Sequence, residues 1–491
     1  MKLLMVTTIL CFAFLHADAP WNASIRVSTD EPWDTLNQGE SCFAVWGDSI
    51  FSICNTAERG VIPIAPYAYS FNAGQTFTQI PFTDLTSGII WHTDPVIGVD
   101  DSGHVHMLIQ YSATLMKHYL SRDGGQTWCD TTQVNPENGV DKPWMVVNGN
   151  EIYIAWQQTA GEIGIWFAKS TDYGQSFTAS RIWGRRYINA LGMDENENLH
   201  LMLVSLPDHG VFYRKSTDHG DTWLPEVHLS DWLYYASYGD RAPINSITAR
   251  GNVVFGTWVD NSYDGWDIMG VRSTDSGTTW CAPFVVNDIT AGGQCKGWAH
   301  FDVYGGLHVI YYHTPDWPTD TFSVFELRYQ YSTDSGTTFN PSIRVSDTSF
   351  TSLADFMGEY HICLSDSQYL YAIWTDGRNG DDNDLYFSKA LLSELSVKEE
   401  PTILAQPQQI LCVPTIWRGN VTLEIQKSTL PIDIKLYDVA GRMAGKIYHG
   451  EVSSGLALHL NSNDFPKGVV FLRALSDTHN EVIKIINLGV Q

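Results

Sequence analysis

The chain has 491 residues, 44% of them hydrophobic and 13% aromatic, which is enough for more than one core and too much for one small domain. A formal charge of -26 repels phosphate backbones and anionic lipid, so nucleic acid is excluded as a partner class. With 40 glycines, 18 tryptophans and 23 tyrosines but only 17% charged residues, the composition favours short strands and tight turns over long helices, and the expected class is all-β.

Residues 1–19 carry Lys2, the apolar run Leu3 to Leu15, and small residues at Ala17 and Ala19, the grammar of a cleaved signal peptide. No later stretch is long and apolar enough for a transmembrane segment. From residue 20 to 394 one octapeptide recurs about every 50 residues: Ser121 to Trp128, Ser170 to Phe177, Ser216 to Trp223, Ser273 to Trp280 and Ser332 to Phe339, with a degenerate copy at Ser70 to Phe77. Each copy has hairpin-turn chemistry. An Asp or Asn oxygen caps turn N–H groups, Gly supplies a positive φ, and a closing Trp or Phe tucks under the sheet.

An inner hairpin precedes each copy, as in Val96 to Ile109, and recurs around Gly47, Gly149, Asn196, Gly251, Gly305 and Asp366. Seven inner hairpins stand against six octapeptides, so the last unit lacks an outer strand. Ser24-Ile-Arg-Val-Ser28 matches Ser342-Ile-Arg-Val-Ser346 and is expected to supply it, closing a ring and removing two exposed sheet edges. The spacing predicts a seven-bladed β-propeller, or a six-bladed one if the first unit is irregular. Cys42 with Cys54 and Cys281 with Cys295 are the candidate disulfides. Residues 395–410, rich in Glu, Gln and Pro, read as a linker. Strands resume over 411–491 and fit a small Ig-like β-sandwich.

The octapeptides resemble the Asp-box, or BNR, repeats of the sialidase superfamily over most of residues 40 to 390. That resemblance implies the propeller, and a role that ranges from sialidase through other glycoside hydrolases to non-catalytic binding. The tail, with Ile434 to Arg442, Phe465 to Arg473 and Val482 to Leu488, resembles the C-terminal sorting domain of type IX secretion cargo. It implies contact with an outer-membrane export machinery, followed by release or cell-surface attachment. The alternative is an ordinary accessory β-sandwich that binds carbohydrate.

In a propeller, loops entering the innermost strands and loops leaving the next strands gather over one end of the central channel. Glu40, Asp94, Asp141, Asp240, His300 and Glu359 stand where the chain enters innermost strands, and Asp260 and Asp376 stand at exits. Converging carboxylates suit a glycosidase acid and base. Asp94, Asp141, Asp240 and Glu359, with Tyr360 beside the last, are therefore the catalytic candidates. The alternative is that each caps backbone N–H groups at a strand start. Trp91, Trp144 and Trp298 are candidates to stack on sugar rings, with His300 beside them.

Sialidases clamp the sialate carboxylate with three arginines. The Phe/Tyr-Arg-Ile-Pro motif that carries the first is missing here, and Arg26 falls on an expected outer strand. Arg59, Arg241 and Arg378 are the arginines able to replace it. No cofactor or metal is expected; the alternative is calcium at the Asn379 to Asp384 run, which lacks EF-hand spacing and otherwise reads as a solvated turn. Three roles remain open from sequence: an enzyme acting on glycans, a non-catalytic surface module that binds glycan or protein, and a spacer or adhesin scaffold without a defined pocket.

Overall fold

A computed structural model of the protein describes residues 20–29, 37–56, 64–84, 92–185, 187–205, 207–231, 245–260, 266–315, 324–351, 357–358, 360–380, 382–395, 411–412, 416–425, 428–438, 442–453, 455–476 and 479–489. The expected signal peptide and most of the expected linker lie outside them. The chain divides into two compact units at Ser396/Val397. No helix among the described residues is long and apolar enough to cross a membrane.

The first unit is built from seven antiparallel sheets among the described residues. Six of them follow chain order and span 38–82, 92–133, 140–183, 188–231, 245–285 and 293–344. The seventh takes three strands from 362–391 and its fourth from Ile25–Arg26, with Ile25 opposite Phe387 and Arg26 opposite Tyr386. The first strands of successive sheets touch one another in a closed cycle, the seventh returning to the first, which is the arrangement of a β-propeller. Second strands such as Val105–Tyr111 and Leu199–Ser205 are buried along their whole length because a sheet packs on each face. Such strands read as apolar runs rather than as alternation.

The octapeptides explain the spacing. In Ser121 to Trp128, Ser121 Oγ accepts from Gly125 N at 2.7 Å, and Asp123 Oδ1 accepts from Thr127 N at 2.8 Å. The same pair of bonds recurs from Ser170 and Asp172, and from Ser216 and Asp218. Gly125 holds φ at 81°, and a Cβ there would lie 2.0 Å from Tyr67 Oη of the preceding sheet. The closing aromatics dock on that preceding sheet too: Trp128 on Tyr67, Phe177 on His118, Trp223 on Phe167 and Trp280 on Tyr213, with centroids 4.8 to 5.6 Å apart. Phe77 of the first octapeptide meets Phe387 of the seventh sheet at 5.3 Å. Each copy is therefore a clasp between neighbouring sheets.

The seventh sheet has no octapeptide, and two segments replace it. Leu392 N donates to Gln368 O at 2.9 Å from the short helix Leu392–Leu395, as Tyr173 N does to Asn150 O at 2.9 Å in the third sheet. Trp21 packs edge-on against Tyr329 of the sixth sheet at 5.4 Å, where a closing aromatic would sit. Arg26 and Ser28 both bond Asp384 at 2.7 Å and pin the N-terminal strand.

Cys42, Cys54, Cys281 and Cys295 are all thiols, so neither expected disulfide forms. Cys42 stands opposite Ile53, which turns the neighbouring Cys54 side chain to the other face of the sheet. Cys295 lies on an innermost strand, whereas Cys281 bonds Arg272 at the outer edge of the fifth sheet.

In the second unit a three-stranded sheet (Leu411–Cys412, Asn420–Ile425, Leu456–Asn461) and a five-stranded sheet share one apolar core. Trp417, Leu423, Ile434, Leu436, Leu472 and Ile485 fill it. Asn420–Ile425 alternates buried and exposed residues as a half-solvated strand must.

Candidate functional site

Four innermost strands carry the same irregularity. The register of each first strand slips between Gly39 and Cys42, Thr93 and Val96, Asp141 and Trp144, and Cys295 and Trp298. At each slip one non-glycine residue is left-handed: Glu40 (φ 53°), Asp94 (φ 45°), Lys142 (φ 50°) and Lys296 (φ 56°). Such a conformation costs about 1–3 kcal/mol at a non-glycine residue, and here it recurs at the start of four innermost strands. Gly358 also has a positive φ (82°), and a Cβ on it would lie 2.0 Å from Glu40 N, so the first and seventh sheets meet backbone to backbone there.

These slips bring charged groups together. Lys142 Nζ donates to Asp94 Oδ1 at 2.8 Å and to Glu40 Oε1 at 3.3 Å, while both carboxylates are almost wholly buried. Asn55 Nδ2 donates to Glu40 Oε2 and, at 3.1 Å, to Thr93 Oγ1, which in turn donates to Asp94 Oδ2 at 3.2 Å. Asp141 accepts from Gln157 Nε2 at 2.9 Å and is only partly buried. Lys296 Nζ donates to Gly358 O.

Burial pushes the Glu40 carboxyl up to about 7 against the pull of Lys142, and the neighbouring Asp94 adds to the rise. Burial also raises Asp141, with Lys142 opposing. Aromatic side chains from three of the sheets and their entry segments meet next to this layer. Trp144 and Trp298 meet ring to ring at 4.8 Å, Tyr360 packs on Trp144 at 5.8 Å, and Tyr360 Oη donates to Pro95 O at 3.4 Å. Chemically, the arrangement offers two carboxyls raised by burial and a lysine paired with two of the three acids, next to a group of aromatic rings.

Of the residues expected from sequence, Glu40, Asp94 and Asp141 come together here, and Trp144, Trp298 and Tyr360 lie beneath them. Asp141 is not the counterpart of Asp94. The proline that follows both Asp94 and Lys142 shows that Lys142 holds that place, and this was the sequence signal for the central lysine. Asn55, Gln110 and Gln157 occupy matching ends of second strands and were missed because an amide carries no distinctive motif.

His300 is elsewhere on its strand, its Nε2 2.9 Å from Ser365 Oγ and accepting from Ser365 N at 3.0 Å. Arg378 is held by Asp376 at 2.6 Å and by Asp347, and lies over the Tyr386 ring at 4.1 Å. Asp260 and Asp376 accept from the indoles of Trp258 and Trp374 at 3.3 and 3.1 Å. In the 379–384 run, Asp384 is engaged by Arg26, Ser28 and Asn379. Among the described residues no His/Cys/Asp/Glu cluster fit to hold a metal is found. Arg59, Trp91, Asp240, Arg241 and Glu359 lie outside the described residues.

No protein-family profile matches the chain, and no curated protein does. Solved structures similar to it include an α-L-arabinanase from Penicillium chrysogenum, 12% identical with a TM-score of 0.42 over 76% of this chain and 99% of that one. The NanB sialidase from Streptococcus pneumoniae is 11% identical with a TM-score of 0.43, over 76% of this chain and 71% of that one. A Hadza microbial sialidase is 14% identical with a TM-score of 0.43, over 76% and 69%. At such identities and scores these likenesses carry no inference about chemistry.

Proposed function

We propose that the first unit is a seven-bladed Asp-box propeller of the sialidase-like kind, exported from the cell, that acts on glycans at the channel end where Glu40, Asp94 and Asp141 surround Lys142. One observation carries the reading: three carboxylates from three successive sheets gather on a strained level of the innermost strands. Glycoside hydrolysis needs one carboxyl that keeps its proton and a second that is ionised. Asp141 is the one of the three that stays partly open to a substrate, and burial raises its carboxyl. Asp94, ion-paired to Lys142 at 2.8 Å, suits the second. The second unit, an Ig-like sandwich on this reading, serves as a type IX sorting domain that engages the outer-membrane export machinery and leaves the protein secreted or attached to the cell surface.

The test is incubation of the purified protein with sialosides and with plant and microbial polysaccharides, reading new reducing ends. Turnover of at least one, lost in Asp141→Asn, supports hydrolysis. Binding without turnover on every substrate refutes it and leaves the second reading, a non-catalytic surface module for carbohydrate or glycoprotein. A specific observation favours that second reading: Glu40 and Asp94 already find their partner in Lys142, as scaffold carboxylates do.

A further inference from the structure

The charges at the channel end are accounted for in an uneven way. Each described cation near it is engaged by protein oxygen: Lys142 by Glu40 and Asp94, Lys296 by Gly358 O. Arg378, the one described member of the expected arginine trio, is held by Asp376 and Asp347. The acceptors are not used up. Asn55 Oδ1, Gln110 Oε1 and Asn189 Oδ1 have no hydrogen-bond partner, in side chains only 5%, 3% and 6% exposed. All three stand beside the acidic cluster. Asn55 Nδ2 bonds Glu40, Gln110 lies across the strand pair from Thr93 and opposes the rise of the Asp141 carboxyl, and Asn189 Nδ2 donates to Lys142 O at 3.0 Å.

Buried acceptors without donors are costly and call for a donor to approach them. The donor comes as the hydroxyl or ammonium of a ligand, or as water carried in with it. A carboxylate-bearing sugar would bring further acceptors and a negative charge towards Glu40, Asp94 and Asp141. The whole chain's charge of -26 adds long-range repulsion.

We infer that the channel end selects glycans that donate hydrogen bonds and carry no negative charge, and discriminates against sialylated and uronic sugars. This rests on the glycan-directed reading above and names its substrate class. Neutral and amino sugars share the required chemistry, so both are tested.

Calorimetric titration of the full chain at low salt would use neutral β-1,4-glucan, β-1,4-mannan and α-1,5-arabinan hexasaccharides, a chitosan hexamer, an oligogalacturonate and sialyllactose. At least one neutral or amino sugar is expected to bind 10-fold or more tightly than both anionic ones. Asp94→Asn, which takes from Lys142 one of its two carboxylates, is expected to narrow that ratio at least threefold, and so is raising the salt. Sialyllactose or oligogalacturonate binding as tightly as the best neutral sugar overturns the inference, and hydrolysis of that anionic sugar would leave the glycan-processing reading standing. A neutral sugar that binds without turnover keeps the inference and sinks hydrolysis instead. Failure of every sugar to bind overturns both.

Discussion

Lys142 is the residue on which the charge balance of the channel end turns, because it neutralises two buried carboxylates from two other sheets. Replacing it with methionine keeps the stem and removes the ammonium, leaving Glu40 and Asp94 without their cation. A loss of about 3–5 kcal/mol is expected, as when one partner of a buried ion pair is deleted, and urea unfolding of Lys142→Met checks it. His361 behaves in the opposite way. Neither ring nitrogen has a partner, and burial, aided by Lys296, pushes the ring down to about 3. The unfolded chain takes up that proton near the ordinary value of about 6.5, so between about 6.5 and 3 the unfolded state binds more protons and stability falls as pH falls. At pH 5 the contribution is roughly 2 kcal/mol against folding. His361→Phe is therefore expected to be more stable than wild type at pH 5 by more than at pH 8, and equal gains at both would contradict this. The acids at strand starts were legible in the sequence by residue type and position. Their cation was missed although the proline after it marks its place, since a lysine inside Asp141-Lys-Pro-Trp144 becomes central only when a register slip turns it inward.

At the scale of the element, the octapeptide is a clasp, and its glycine is fixed by the neighbour it touches. Gly125→Ala combines a left-handed backbone at φ 81° with a Cβ 2.0 Å from Tyr67 Oη. A cost of roughly 3 kcal/mol is expected. Gly251, with φ 56° and open space around its would-be Cβ, should cost only about 1 kcal/mol as alanine. Paired thermal melts of the two variants check the contrast, and equal losses would mean that contact with the preceding sheet contributes nothing. The turn chemistry and the 50-residue period were readable because Ser, Asp, Gly and an aromatic recur at fixed offsets. Which sheet each aromatic serves was not readable, since docking on the preceding sheet is a property of the assembled ring. The disulfide expectation failed at this scale too, because closeness in sequence across a hairpin ignores which face each side chain takes.

For the whole molecule, the ring of the first unit is completed by its own beginning. Trp21 substitutes for the aromatic of the absent seventh octapeptide, and it is only 5% exposed. Trp21→Ala should cost about 3–5 kcal/mol, far more than its place near the chain start suggests, and chemical denaturation monitored by tyrosine and tryptophan fluorescence checks it. The match between Ser24 to Ser28 and Ser342 to Ser346 made this closure legible, because both segments fill the same outer position on equivalent sheets. The chemistry of the channel end was less so, since it depends on groups contributed by separate sheets. That convergence is the centre of the account, and the most direct measurement compares wild type with Asp141→Asn for glycan binding and reducing-end release on one substrate panel, with thermal melts of both. The account predicts that the variant keeps its melting temperature within a few degrees while binding, release or both fall at least 10-fold. A variant that binds and processes every glycan as wild type does would contradict it.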